Sequence, residues 1–75
     1  MERRTWFAEL LRRKKATIKG LARAAGVSRS TVKVMVEASG LPNLRNTAKV
    51  AAALSVRPGY LAQGLIVQYQ RRDAA

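Results

Sequence analysis

The stretch LARAAGVSRSTVKVM, residues 21–35, decides the fold of this chain. The apolar residues of its first half recur at helical spacing, and so do those of its second half, but the two sets are out of phase. A single helix cannot carry both faces through Gly26. The stretch therefore predicts two short helices joined by a tight turn.

Small residues surround this predicted turn. Two helices that meet at a sharp angle need a turn residue that tolerates positive φ, and Gly26 meets that need. They also need small residues where their backbones touch, which Ala22 and Ala25 supply. Four apolar residues are then predicted to fill the space between the helices: Leu21, Val27, Val32 and Met35.

The rest of the chain extends this unit to an all-α, compact five-helix domain with short linkers. The predicted helices cover about 4–15 with Thr5 as N-cap, 18–25 after the N-cap Thr17, 28–38 with Ser28 as N-cap, 44–54, and a short fifth helix with Pro58 in its first turn. The apolar stripe of the first helix contains Phe7, Leu10 and Leu11. The predicted core contains Phe7, Leu10, Leu21, Val32, Met35, Leu54 and Leu61, and the fourth helix is expected to turn Leu44, Ala48, Val50 and Ala51 inward.

The C-terminal segment GLIVQYQRRDAA, residues 64–75, supports two interpretations. The alternation of Leu65, Val67 and Tyr69 with their neighbours predicts a strand. The spacing of Leu61, Leu65 and Tyr69 fits a helix equally well. Since a lone strand has no partner in a helical chain, it would pair with its copy in a second chain.

The composition favours a binding protein over an enzyme. The chain has no cysteine and no histidine, and its four acids are scattered. Hydrolytic or metal-assisted chemistry needs such groups in clusters. We therefore expect no catalytic residue, no metal, no cofactor and no small-molecule ligand.

The charge balance predicts a polyanionic partner. Fifteen Lys and Arg residues against four acids give a formal net charge of +11. Such a surface repels itself, and a polyanion relieves the repulsion. Nucleic acid is the first candidate and an anionic membrane surface is the second.

A membrane role is the weaker of these two. No apolar run approaches the roughly 20 residues that a membrane span needs, and the N-terminal stretch MERRTWFAELLRRKK lacks the apolar core of a signal peptide. We expect a cytoplasmic protein, associated with the nucleoid when bound to DNA, that does not interact with membranes.

From Phe7 to Leu61 the sequence resembles the Cro and lambda-repressor class of helix-turn-helix DNA-binding domains. The features that carry the resemblance are the small Ala22, the turn AGVS at 25–28, the four apolar residues around that turn, and the downstream strings LPNL at 41–44 and VAAALSV at 50–56. The resemblance implies a DNA-binding domain, which we place over 1–64 with its helix-turn-helix unit at 17–38. The tail over 65–75 lies beyond the resemblance and is a candidate dimerisation segment. It also implies a transcriptional regulator of phages or other mobile elements.

The sequence departs from the family at three places. Ile18 stands where many members have a phosphate-binding glutamine. Glu37 and Gly40 are displaced from the acidic residue and glycine that commonly end the third helix. Val34 stands at a position that is often polar.

If the third helix enters the major groove, its exposed N-terminal residues reach base edges. The predicted base-contacting residues are Ser28, Arg29, Ser30, Thr31, Lys33 and Val34. Arg29 is the first choice for reading guanine, because its guanidinium can bond O6 and N7 together. The alternative is that Ser28 only caps the helix and Arg29 is only solvated.

Phosphate contacts are predicted beside two helix starts. These residues are Thr17, Lys19 and Arg23 at the second helix, and Asn43, Arg45 and Asn46 at the fourth. The run RRKK at 12–15 contacts flanking DNA or is a solvated helix end. A solvated role is expected for Arg3, Arg4, Arg57, Arg71 and Arg72.

The excess of apolar residues near the C-terminus predicts a homodimer contact through Tyr60, Leu65, Ile66, Val67 and Tyr69. Local packing on the first and fifth helices is the alternative. A dimer would read a two-fold operator with half-sites about 34 Å apart or a multiple of that distance.

The sequence thus predicts a sequence-specific regulator that binds double-stranded DNA, most simply a dimeric repressor. Two other functions stay open. One is an antitoxin-like or partner-binding module that uses its hydrophobic tail and also binds DNA. The other is a non-specific polyanion binder.

Overall fold

The computed structural model describes residues 5–74, with side chains described for residues 5–71. The described chain forms five α-helices and no strand: α1 (Trp6–Arg13), α2 (Ile18–Ala25), α3 (Arg29–Glu37), α4 (Leu44–Leu54) and α5 (Pro58–Ala74). The predicted all-α, five-helix architecture is confirmed. The predicted start of the first helix near Arg4, like Arg3, lies outside the described residues, as does the side chain of Arg72.

Each of the first four helices begins at a polar side chain that accepts a hydrogen bond from the backbone amide three residues later. The predicted N-caps Thr5, Thr17 and Ser28 are confirmed, and Asn43 is a fourth. The amides that donate are those of Ala8 at 3.1 Å, Gly20 at 3.0 Å, Thr31 at 3.2 Å and Asn46 at 2.7 Å, in that order.

The same four helices end in one shared motif, a left-handed residue followed by an amide that bonds a carbonyl five residues earlier. The left-handed residues are Lys15 (φ 55°), Gly26 (φ 71°), Ala38 (φ 56°) and Ser55 (φ 59°). The bonds run from Ala16 to Leu11, from Val27 to Ala22, from Ser39 to Val34 and from Val56 to Ala51, at 2.9–3.2 Å. Of these four left-handed residues, only Gly26 is a glycine, the residue type that adopts this conformation most readily.

The helices close into a ring around one core. Helix α1 packs on α3 and α5, α2 packs on α3 and α4, and α4 packs on α5. All the residues predicted for the core from α1, α2, α3 and α5 are buried, with Phe7, Val32, Met35 and Leu61 fully so. The result is a body of 32 × 25 × 20 Å.

Two inward assignments on α4 are wrong. Leu44 is 83% exposed and Ala48 is exposed. The row that faces the core is instead Thr47, Val50, Ala51 and Leu54. Leu44 is the first residue of α4 and lies three residues before Thr47, the first side chain of this helix that faces the core. Thr47 is tolerated in the core because its hydroxyl donates to the carbonyl of Asn43 at 2.9 Å.

The C-terminal segment is helical, so the strand interpretation is wrong. Helix α5 continues from Pro58 through the predicted tail, and the predicted boundary between residues 64 and 65 falls inside it. Leu61, Leu65 and Gln68 are buried at the spacing of one helix face. In the helix these residues pack on the core, whereas a strand would leave its backbone groups without partners in this chain.

Helix α5 packs closely on α1 where Trp6 lies on Gly64. A methyl group added at Gly64 would overlap the indole ring of Trp6. The same ring makes an edge-to-face contact with Tyr60, with centroids 5.6 Å apart. A glycine in the middle of α5 therefore makes room for an aromatic ring that joins the two helices.

Within residues 5–74, no single helix is both long enough and apolar enough to span a membrane. Helices α4 and α5 meet the length and composition criteria only when taken as a pair, and they are bent by 113° relative to each other.

Candidate nucleic-acid interface

The connection between α2 and α3 is a tight turn built on Gly26. Gly26 takes φ 71° and ψ 34°, and its amide donates to the carbonyl of Ala22 at 3.0 Å. The amide of Val27 bonds the same carbonyl at 3.1 Å. Ser28 then caps α3 only three residues after the end of α2, which fixes the second helix relative to the first.

The packing behind this turn follows the prediction. Leu21 and Ala22 from α2 and Val32 and Met35 from α3 lie in one buried cluster. Ala25 and Val27 pack against that cluster while they remain partly buried. The inner face of α3 is therefore buried in the core, and the opposite face is exposed to solvent.

That outer face carries the cations. Arg29, Ser30 and Lys33 are exposed, and Arg29 and Lys33 lie one turn apart on the same side of the helix. Among the described residues, the Arg29 guanidinium has no hydrogen bond or salt bridge to the protein. Its five donors are therefore available to an external acceptor.

Lys33 has a neighbour of opposite charge. Its ammonium lies 4.0 Å from a carboxylate oxygen of Glu37, and both side chains are more than half exposed. Such a pair at i, i+4 is weak in water. It nevertheless places a negative charge on the same face as the two cations.

Ser28 and Thr31 are occupied by local hydrogen bonds. The Ser28 hydroxyl caps the amide of Thr31 and lies 3.0 Å from the Thr31 hydroxyl. The capping role is thus shown for Ser28. A base contact by either residue would need its hydroxyl to bond the base in addition.

Val34 is half-buried, with one methyl group close to Gly40 in the loop after α3. This loop therefore covers part of its side chain. Of the six predicted base-contacting residues, Ser28, Arg29, Ser30 and Lys33 are exposed, whereas Thr31 and Val34 are half-buried.

Exposed cations also lie on α2 and α4, two helices that pack on each other. Lys19 and Arg23 are exposed on α2, and Arg45 is exposed in the first turn of α4. Thr17 and Asn43 are exposed N-caps, and Asn46 is half-buried. Sequence analysis missed Lys49, which is exposed one turn after Arg45, although the i, i+4 spacing would have found it.

The basic run at 12–15 divides into two parts. Arg12 forms a 3.0 Å salt bridge with Glu9 on the surface of α1. Lys14 and Lys15 instead line a shallow groove with Thr17 and Gly20, at the start of α2. The second part of the run therefore adds charge beside α2.

The predicted dimer residues do not share one surface. Leu65 is only 2% exposed and belongs to the core, so it is not accessible to a second chain. Tyr60, Ile66 and Val67 are exposed on α5, while Tyr69 is half-buried.

Sequence analysis also missed two side chains that bond the last turn of α3. Gln68 donates to the carbonyl of Met35, and the Thr5 hydroxyl donates to the carbonyl of Val36. The sequence does not predict the first bond, because glutamine is usually a solvent-exposed residue.

No protein-family model matches this chain, and neither a curated protein nor a solved structure matches it.

Proposed function

We propose that this chain is a sequence-specific regulator of transcription that binds double-stranded DNA, most simply a repressor that occludes a promoter. In this proposal α3 is the recognition helix and lies in the major groove, as in the family that the sequence resembles. The observation that carries the proposal is the division of α3 into two faces. Val32 and Met35 are fully buried, while Arg29 and Lys33 project from the other side.

The surrounding charge supports a nucleic-acid partner. The formal net charge is +11, and exposed cations on α2 and α4 flank the α2–α3 unit. Lys19, Arg23, Arg45 and Lys49 are suited to phosphate oxygens, which supply most of the affinity and no sequence information. Arg29 supplies the sequence preference, because a bidentate contact with guanine discriminates by about 1–3 kcal/mol.

The test is selection of duplexes from a random pool at moderate salt, run with the wild type, with Arg29→Ala and with Arg57→Ala. Arg57 is an exposed cation outside α3, so it controls for the loss of one charge. We expect the wild type and Arg57→Ala to enrich the same motif, and Arg29→Ala to lose preference at one base pair. Enrichment of no motif by the wild type would leave only non-specific polyanion binding.

We further propose that the chain binds a two-fold operator as a homodimer, with Tyr60, Ile66 and Val67 of α5 at the contact. Two or three base contacts supply too little discrimination for a single copy to occupy one site among many. Sedimentation of the protein with and without its selected duplex tests this proposal. We expect Ile66→Glu to bind one half-site but not to fill a two-fold site cooperatively.

The exposed apolar residues of α5 equally suit a partner protein, as an antitoxin-like function requires. Purification from cells that express the chain with its neighbouring genes distinguishes the two. A stable complex that Ile66→Glu abolishes, together with a monomeric chain on DNA, would favour the partner-binding function.

A further inference from the structure

The last turn of α3 is held by side chains from two other parts of the chain. The Nε2 atom of Gln68, on α5, donates to the carbonyl of Met35 at 2.7 Å. The hydroxyl of Thr5, at the start of α1, donates to the carbonyl of Val36 at 2.6 Å. The last carbonyls of a helix have no partner within it, so these bonds satisfy groups that would otherwise be left without one.

Gln68 also bonds in the opposite direction. Its Oε1 atom accepts from the backbone amide of Phe7 at 2.8 Å, and the residue is only 7% exposed. A backbone N–H only donates and a carbonyl only accepts, so a single orientation of the side-chain amide satisfies both bonds. One buried side chain thus joins the start of α1, the end of α3 and the middle of α5.

These bonds constrain α3 in a way that its apolar packing does not. The extensive contacts of α3 are with α1 and α2, and α5 packs on α1 and α4 instead. Apolar burial has little directional preference. A hydrogen bond weakens steeply with distance and angle, so bonds to two successive carbonyls fix both the depth and the rotation of the helix end.

A small change of tilt at the last turn of α3 produces a large displacement at its first turn. Arg29 lies about 9 Å along the axis from Met35, at 1.5 Å per residue. A tilt of about 10° at the last turn would move Arg29 by roughly 1.5 Å, which is more than a base-edge hydrogen bond tolerates.

We propose that Gln68 and Thr5 are positioning residues for α3, which fix the angle at which Arg29 and Lys33 are presented to DNA. This proposal rests on the proposed function, since it assigns the two residues a role in sequence reading. They act through the carbonyls of Met35 and Val36 and contact no base themselves.

Two variants remove the bonds selectively. Gln68→Met keeps nearly the same length and volume but loses both hydrogen bonds. Thr5→Asp keeps an N-cap acceptor for the amide of Ala8 but has no proton to donate to Val36. The matched controls are Gln63→Met, at an exposed position of α5, and Thr5→Ser, which keeps both the cap and the donor.

The first measurement uses the free protein. Residual dipolar couplings of the backbone amides give the orientation of α3 relative to α2. We expect both variants to reorient α3 while the controls retain the wild-type couplings. If Gln68→Met does not fold, Thr5→Asp carries the test, because its helix cap is preserved.

The second measurement compares affinity for the selected duplex with affinity for a scrambled duplex. We expect each variant to lower this ratio about tenfold, the equivalent of one base contact, with an unchanged salt dependence on the scrambled duplex. A purely structural role would lower stability and leave the ratio unchanged in the folded protein.

Unchanged couplings of α3 in Thr5→Asp and in any folded Gln68→Met would overturn the proposal. The proposed function fails separately, if the wild type itself selects no motif. In that case the couplings still decide whether the two residues position α3.

Discussion

Gln68 donates a 2.7 Å hydrogen bond to the carbonyl of Met35, 33 residues earlier in the chain. The bond joins the helix that ends the chain to the helix that carries the candidate base contacts. Within the described residues it is a buried polar link between parts of the molecule that otherwise meet mainly through α1 and the core. We therefore expect a substitution near residue 68 to alter the orientation of α3.

Loss of one phosphate contact should change the salt dependence of DNA binding. We expect Arg45→Gln to lower affinity for specific and scrambled duplexes alike, and to reduce the slope of log affinity against log salt by about one. Arg57→Gln should leave the slope nearly unchanged. A salt titration by fluorescence anisotropy measures both. An equal effect of the two variants would argue for diffuse charge attraction rather than a defined interface.

Removal of the acidic group from the outer face of α3 should strengthen DNA binding. Glu37→Gln frees Lys33 from its neighbour and removes a charge that repels phosphate. We expect affinity for any duplex to rise about two- to fivefold, the scale of an exposed charge interaction. Glu9→Gln on α1 removes the same charge from a different helix and is the control. Weaker binding by Glu37→Gln would instead indicate that the carboxylate itself contacts a base.

Because Trp6 contacts Gly64, replacement of this glycine by alanine should destabilise the protein, although alanine favours helix formation. Alanine is preferred to glycine inside a helix by about 1 kcal/mol. At Gly64, however, the added methyl group overlaps the indole ring, and such overpacking costs about 1–3 kcal/mol. We expect Gly64→Ala to lower the free energy of unfolding in urea. Gly59→Ala, where an added methyl group meets nothing within 4 Å, should be neutral or stabilising.

A glycine at the end of α4 should stabilise the fold. Ser55 takes φ 59° in the left-handed region and is exposed. Since this conformation costs a side-chain-bearing residue about 1 kcal/mol relative to glycine, we expect Ser55→Gly to raise the melting temperature by several degrees. Ser55→Ala should give no such gain. A lower melting temperature for Ser55→Gly would show that the flexibility added to the unfolded chain outweighs the relief.

Local sequence signals predicted much of this fold. Thr5, Thr17 and Ser28 each precede a helix and cap it, and Gly26 takes the left-handed conformation that its position in the turn demands. These features depend on a few neighbouring residues. The left-handed conformations of Lys15, Ala38 and Ser55 have no such signal, because none of these residues is glycine.

Features that depend on distant parts of the chain could not be predicted in this way. The alternating pattern over residues 65–70 predicts a strand. In the structure this segment is helical, because Leu65 is buried in the core that the other helices form. Leu44 is an apolar residue, yet its side chain is exposed at the first position of α4. At the candidate site, the outward direction of Arg29 and Lys33 follows from the phase of Val32 and Met35. The bond from Gln68 depends on a contact between α5 and α3 that no local pattern encodes.

Trp6 is the one tryptophan of the chain, and its ring lies against Gly64 and Tyr60. Its intrinsic fluorescence is therefore a built-in optical reporter of whether α5 is seated on α1. Stopped-flow mixing can follow detachment of the C-terminal helix, or its response to duplex, in the unlabelled native chain.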